Sequence, residues 1–249
     1  MLFLITLVVT FAAVMALRNP IKRFAVPIYV LAAVLSAALV ASPAFLSSLV
    51  FSNWMLVFVR RCTLPLAMFV VVMFIGVLPK DGRLSRWLRP IRAELSIAAW
   101  ILSLGHMLVF LETYLPGLLG LNISHGTVVA SIVVALVLFV LLLVLGATSF
   151  RFVRDRMSPG LWKKVQRWAY VFYGLVYVHL ALMLAPAALT DTAGIFSAAS
   201  GPASRLAVYT CVFGAYLVLR VYRAVKERSQ AAEGQTEEPQ AIETQAAEE

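Results

Sequence analysis

Apolar residues in this chain run in long blocks rather than in strict alternation. Seven stretches are nearly free of charge: roughly 2–17, 24–43, 62–79, 95–116, 127–147, 165–186 and 204–221. ASIVVALVLFVLLLVLGATSF (130–150) shows the pattern at its clearest. About twenty apolar residues in a helix span a hydrocarbon core about 30 Å thick. The pattern predicts an all-α, polytopic membrane bundle of about seven transmembrane helices, with six as the alternative. Between spans two and three, ASPAFLSSLVFSNWMLVFVRR (41–61) is too interrupted for a span and reads as an interfacial stretch anchored by Trp54.

The polar segments between the blocks set the orientation. KDGRLSRWLRPIR (80–92) and RFVRDRMSPGLWKKVQR (151–167) are strongly basic, whereas ETYLPGLLGLNISHG (112–126) has no Lys or Arg. Basic loops stay on the cytoplasmic side. The expected topology is N-out and C-in, with Arg18, Lys22 and Arg23 following span one on the inside. Arg60 and Arg61 fall on the outer side, against the rule. The first span lacks a positive leading segment and reads as a retained helix rather than a signal peptide. Three regions are expected: 1–23, an extra transmembrane helix and basic loop; 24–225, the main transmembrane domain; 226–249, an acidic, disordered cytoplasmic tail.

Composition sharpens this picture. The chain is 62% hydrophobic and 13% charged, well outside the soluble globular range. Its net charge of +9 comes from loop cations, so it is a topology signal and implies no nucleic-acid partner. Membrane lipid is the expected surrounding, in a prokaryotic cytoplasmic (inner) membrane. Cys62 and Cys211 form no disulfide framework, and there is no C-x-x-C-H motif for covalent haem attachment.

Candidate chemistry rests on histidine. The chain has three, and His106 and His179 sit inside apolar spans. His106 lies 14 residues beyond Arg92, and His179 lies 13 beyond Gln166. Each is therefore about 20 Å along its helix. Both helices run in the same direction, so the rings share one level in the outer half of the membrane. Intramembrane ionisable residues are costly and mark function. Two imidazoles at one depth suit the axial positions of haem iron. Gly105, Ser103 and Gly174 would leave room for a porphyrin. Either histidine alone reads first as a helix–helix hydrogen bond, and their shared depth brings haem level with that reading.

Other residues carry weaker signals. Arg60 and Arg61 suit haem propionates or a quinone headgroup, and suit interfacial snorkelling equally. His125, in the outer loop, is too shallow for the shared level. Tyr114 reads as an aromatic-belt residue, and Glu112 as a solvated acid. Trp168, Tyr170, Phe172, Tyr173 and Tyr177 read as packing.

The stretch LGATSFRFVRDRMSPGLWKKVQRWAYVFYGLVYVHLALML (145–184) resembles the ferric-reductase-like transmembrane domain family. It looks closest to the MsrQ-type membrane haem b subunit of the periplasmic methionine sulfoxide reductase system. Thr148, Ser149, Trp162, Tyr170 and His179 fit the family pattern, and IRAELSIAAWILSLGHMLVFL (91–111) resembles the family's other haem helix, with His106. VRRCTLPLAMFVVVMFIGVLP (59–79) resembles the preceding family helix. The resemblance implies haem b held by His106 and His179; Arg60 and Arg61, from their outer position, stand beside them as cofactor-binding candidates, with a quinone as a second candidate cofactor. Gln166 stands where the family has a histidine, and Arg92 or Ala93 where two-haem relatives have another ligand. The resemblance therefore implies one haem, at the outer level.

No dinucleotide fingerprint is present, and no FAD or NAD domain is expected in this chain. The expected role is an electron-transfer subunit passing electrons from a quinol, or from a flavoprotein or reductase partner, to an extracytoplasmic acceptor. The alternative is a haem-free transport or assembly protein whose histidines are helix–helix contacts.

Overall fold

The computed structural model describes residues 2–41, 58–79, 82–120, 126–190 and 201–248. Trp54, His125 and most of the 41–61 stretch lie outside the described residues. Among the described residues there is no strand, and the architecture is all-α.

Among the described residues, seven apolar helices appear where the blocks predict them. These are α1 (Leu2–Ala16), α3 (Ala25–Ala41), α4 (Thr63–Val77), α6 (Arg92–Leu119), α7 (Gly126–Ala147), α9 (Pro159–Leu189) and α10 (Pro202–Glu248). Short helices α2 (Arg18–Arg23), α5 (Arg83–Leu88) and α8 (Arg151–Arg154) lie in the basic connections. The helices at Arg83–Gly117, Gly126–Ala147, Pro159–Leu189 and Pro202–Gln230 are long and apolar enough to cross a membrane. α1, α3 and α4 are shorter, at 15, 17 and 15 residues.

Two helix ends differ from the expected spans for local reasons. α9 begins six residues before the expected 165. Ser158 caps it by accepting from the Leu161 amide at 3.3 Å, and Pro159 follows in the first turn. A serine cap and a proline whose missing N–H is not needed both favour a helix start there. α10 continues to Glu248, through the segment expected to be disordered. That segment has little apolar surface to bury, but Ala, Glu and Gln are good helix formers.

Helices α4, α6, α7, α9 and α10 close into a ring through successive contacts, α10 returning to α4. α1 packs outside on α4, and α3 on α6. Close approach is built with small residues, as expected where lipid tails compete with apolar packing. A Cβ on Gly105 would lie 2.8 Å from Ser36 of α3, whose hydroxyl donates to the Ile101 carbonyl at 2.9 Å. Gly146 of α7 lies directly under the Trp100 ring, whose Nε1 donates to the Leu142 carbonyl at 2.9 Å.

Small polar groups are buried within a largely apolar interior, and the exterior is apolar as well. Thr6, Thr10, Ser36, Thr63 and Ser131 are buried, while Ile5, Val8, Val9, Val26, Leu31 and Val140 are more than half exposed. An apolar exterior on long helices is what a bilayer demands. This is an integral membrane protein.

The basic connections gather at one end. The Arg18 guanidinium lies 4.3 Å from the Trp87 ring centroid, joining the α1–α2 junction to α5. Arg223 of α10 donates to the carbonyls of Gly76 and Leu78 at 2.9 and 2.7 Å, closing the C-terminus of α4 at this end. Arg60 and Arg61 precede α4 and so lie towards the other end.

Candidate functional site

A cavity of about 360 Å³ lies inside the ring. That is within the usual size of a ligand pocket, roughly 300–1,000 Å³. His106 of α6 and His179 of α9 both line it. The depth match read from the sequence therefore brings the two rings to one chamber.

Each imidazole is held through Nδ1. His106 Nδ1 donates to the Arg60 carbonyl at 2.6 Å. His179 Nδ1 lies 3.1 Å from the Ser131 carbonyl and 3.0 Å from the Ser131 hydroxyl, both on α7. A carbonyl oxygen can only accept, so Nδ1 carries the proton in both neutral rings. Nε2 is then the lone-pair nitrogen. No protein group among the described residues hydrogen-bonds either Nε2. A ring fixed through one nitrogen, with the other free to coordinate, is the arrangement of metal-binding histidines.

A left-handed residue makes the first contact possible. Cys62 has φ 54° and is the one non-glycine among the described residues with positive φ. This turn, closed by the Cys62 amide donating to the Val59 carbonyl at 3.0 Å, sets Arg60 and Arg61 just before α4. The Cys62 Sγ lies 3.8 Å from the Ser103 hydroxyl.

The walls differ in character. α7 contributes Val128, Ile132, Ala135, Leu136 and Phe139. Across the ring, the starts of α4 and α10 contribute Arg61, Thr63, Arg205 and Tyr209. The arginine pair expected from the sequence is thus divided. Both are exposed; Arg61 lines the cavity, whereas Arg60 serves through its carbonyl. Ser131 and Arg205 were not singled out in the sequence. A serine in an apolar span, five residues beyond the Gly126 start of α7, was the available signal for the first.

Other expectations change with the structure. Gly105 and Ser103 do not line the cavity: Gly105 faces Ser36 of α3, and Ser103 faces Cys62. Ala135 and Ser131 of α7 are the small residues that line it. Tyr114 lines the cavity, beyond a belt role, and stacks on Phe110 at 5.9 Å. Glu112 is exposed. Tyr173 stacks on Phe213 at 4.4 Å, and Phe172 meets Phe69 edge-on at 5.6 Å, so both pack the bundle as expected. Trp168 faces outward, 54% exposed.

A second cavity, about 550 Å³, lies towards the basic end. Arg92, Ala93 and Gln166 line it, with Arg89, Arg154, Lys163 and Arg167, and no histidine does. Gln166 donates to the Thr148 hydroxyl at 3.1 Å, and Trp162 Nε1 donates to the Thr148 carbonyl at 3.1 Å. Among the described residues, no group of three or more His, Cys, Asp or Glu converges on a metal site. Axial ligation of a porphyrin iron needs only two protein nitrogens. The two imidazoles lining one cavity, each held through Nδ1, and the apolar α7 wall fit such a group.

An uncharacterized protein of Treponema pallidum (strain Nichols) is 38% identical over 231 residues, covering 90% of this chain and 61% of that protein. The chain thus spans about six-tenths of that relative's length. No solved structure matches the chain. Domains of the ferric-reductase-like kind are in general redox, haem-binding membrane domains. Residues 58–177 match the family described as ferric reductase like transmembrane component.

Proposed function

We propose that the chain is a b-type haem electron-transfer subunit of a prokaryotic cytoplasmic membrane, holding one haem between His106 and His179. Electrons come from a membrane quinol or redox partner and leave to an extracytoplasmic acceptor or reductase. The MsrQ-type resemblance in 145–184 supports that direction. The observation that carries the reading is the pair of imidazoles lining one apolar cavity, each tied through Nδ1 to a carbonyl. Bound haem would supply reversible one-electron exchange. The chain's own residues do the rest. The Arg60 and Ser131 carbonyls fix the tautomer and angle of the two ligands. The α7 side chains keep water from the ligand plane, and a dry, low-dielectric pocket tunes potential. The second cavity offers no imidazole, which supports a single haem.

A haem-free reading also has an observation in its favour, because both histidines bond a neighbouring element. It leaves two Nε2 atoms without protein partners in one chamber.

An optical spectrum of purified protein, oxidised and dithionite-reduced, separates the two. The expected result is about one b-type haem per chain, low-spin and six-coordinate. His106→Ala and His179→Ala should each abolish the low-spin signal, and His125→Ala should retain it. Absence of a Soret band after haem-supplemented expression overturns the proposal, and a ratio near two overturns the single-haem assignment.

A further inference from the structure

The second cavity gathers charge in a way that membrane topology does not account for. Five cations line it: Arg89 just before α6, Arg92 at its start, Arg154 at the end of α8, and Lys163 and Arg167 early in α9. All five are exposed. Among the described residues, no Asp or Glu lines the cavity. Arg154 has an acidic neighbour, donating through Nε to the exposed Asp155 at 3.3 Å. Basic loops follow from orientation alone, but that rule is indifferent to where each charge points. Arg83, Arg86, Arg151, Arg156 and Lys164 belong to the same connections and do not line the cavity. Five like charges converging on one concave surface focus a positive potential there.

Much of the remaining lining is apolar. Phe69, Val72 and Met73 of α4, Leu142 and Leu145 of α7 and Phe172 of α9 contribute to it, and Val72, Met73 and Leu142 are buried. Solvent-facing cations and an apolar wall therefore share one cavity of about 550 Å³ at the basic end of the bundle.

We infer that this cavity binds one anionic phospholipid from the leaflet at the basic end. Its phosphate lies among the five cations and an acyl chain lies against α4 and α7. Arginine meets phosphate oxygens with a fork of donors, and lysine meets them as a point charge. A zwitterionic lipid would bring its own cation into the cluster, and a free phosphate would leave the apolar wall unused. Basic pockets between transmembrane helices hold anionic lipid headgroups in the same way. No histidine lines this cavity, so the inference stands apart from the haem reading.

The test strips full-length protein of lipid in a neutral maltoside detergent. Phosphatidylglycerol, or phosphatidylcholine with the same chains, is then added back and bound lipid is counted by native mass spectrometry. Wild type should hold one phosphatidylglycerol with about tenfold or greater preference, since several basic residues act together. Arg92→Gln, Lys163→Gln and Arg167→Gln should each weaken it about fivefold, the scale of one basic residue against an anionic lipid. Arg86→Gln and Lys164→Gln, in the same connections but off the cavity, should leave it nearly unchanged. Inorganic phosphate in large excess over the lipid should not displace it.

Equal retention of the two lipids by wild type overturns the inference. That comparison needs no variant, so poor folding of a substituted protein does not shield it. Equal weakening by Lys163→Gln and Lys164→Gln also overturns it, since diffuse loop charge would then account for binding. Displacement by inorganic phosphate overturns the lipid assignment and marks a site for a soluble anion.

Discussion

His106 and His179 are held by unequal means. His106 relies on one short bond to the Arg60 carbonyl, whereas His179 has two oxygens of Ser131 within reach. Ser131→Ala removes the hydroxyl and keeps the carbonyl. One haem per chain should remain, with affinity lowered severalfold, less than the roughly 10–100-fold expected for full loss of such a supporting contact. A haemin titration checks this, and unchanged affinity would assign the hydroxyl no part in holding the ring. The other support depends on backbone shape. Cys62 holds φ 54°, a conformation that strains side chains but not glycine. Cys62→Gly should fold and give the wild-type spectrum. Cys62→Val should cost about 1–3 kcal/mol and disturb the His106 ligation, because the Arg60 carbonyl depends on that turn. Thermal melts and optical spectra of the two variants decide it, and equal behaviour would show that the turn is not what aims the carbonyl. The two histidines were legible because helical rise converts sequence distance into depth. Their oxygen partners were not, being 46 and 48 residues away on other elements.

At the scale of elements, the apolar blocks gave seven helices among the described residues, with α9 starting earlier and α10 running well past its expected end, because a bilayer leaves few alternatives to a helix. What spacing along a helix does not give is its rotation about its own axis. Gly105 illustrates this. It neighbours His106 in sequence and was read as making room for a porphyrin, yet it faces α3. A leucine at Gly105 would drive its Cβ to within 2.8 Å of Ser36. Gly105→Leu should therefore separate α3 from α6 and lower stability by about 1–3 kcal/mol, the usual cost of overpacking. The cavity is not touched, so the folded fraction should keep its low-spin haem. Loss of the haem signal at full helical content would instead return Gly105 to the cavity wall. The early start of α9 was legible after the fact, since Ser158-Pro159 is a cap and first-turn pair. The strong basic charge around it read as loop and masked the signal.

The molecule as a whole has two ends, and its contacts sort the charges between them. The Arg18–Trp87 and Arg223–Gly76 contacts draw the basic connections together at one end, while Arg60 and Arg61 precede α4 towards the other. If the basic end faces the cytoplasm, as basic loops do, the histidine cavity lies towards the outer surface. The second, histidine-free cavity then separates it from the cytoplasm. His106 and His179 are each 14 and 13 residues from Arg92 and Gln166, which line that inner cavity. The separation along the helices is about 20 Å. Electron exchange should therefore be faster from the Arg61 side. In vesicles of known orientation, a membrane-impermeant oxidant should bleach the reduced haem when applied at the outer face, and much more slowly from the cytoplasmic face. Oxidation only from the cytoplasmic face would require the bundle to be inverted, and the proposed flow of electrons to an extracytoplasmic acceptor would fall with it.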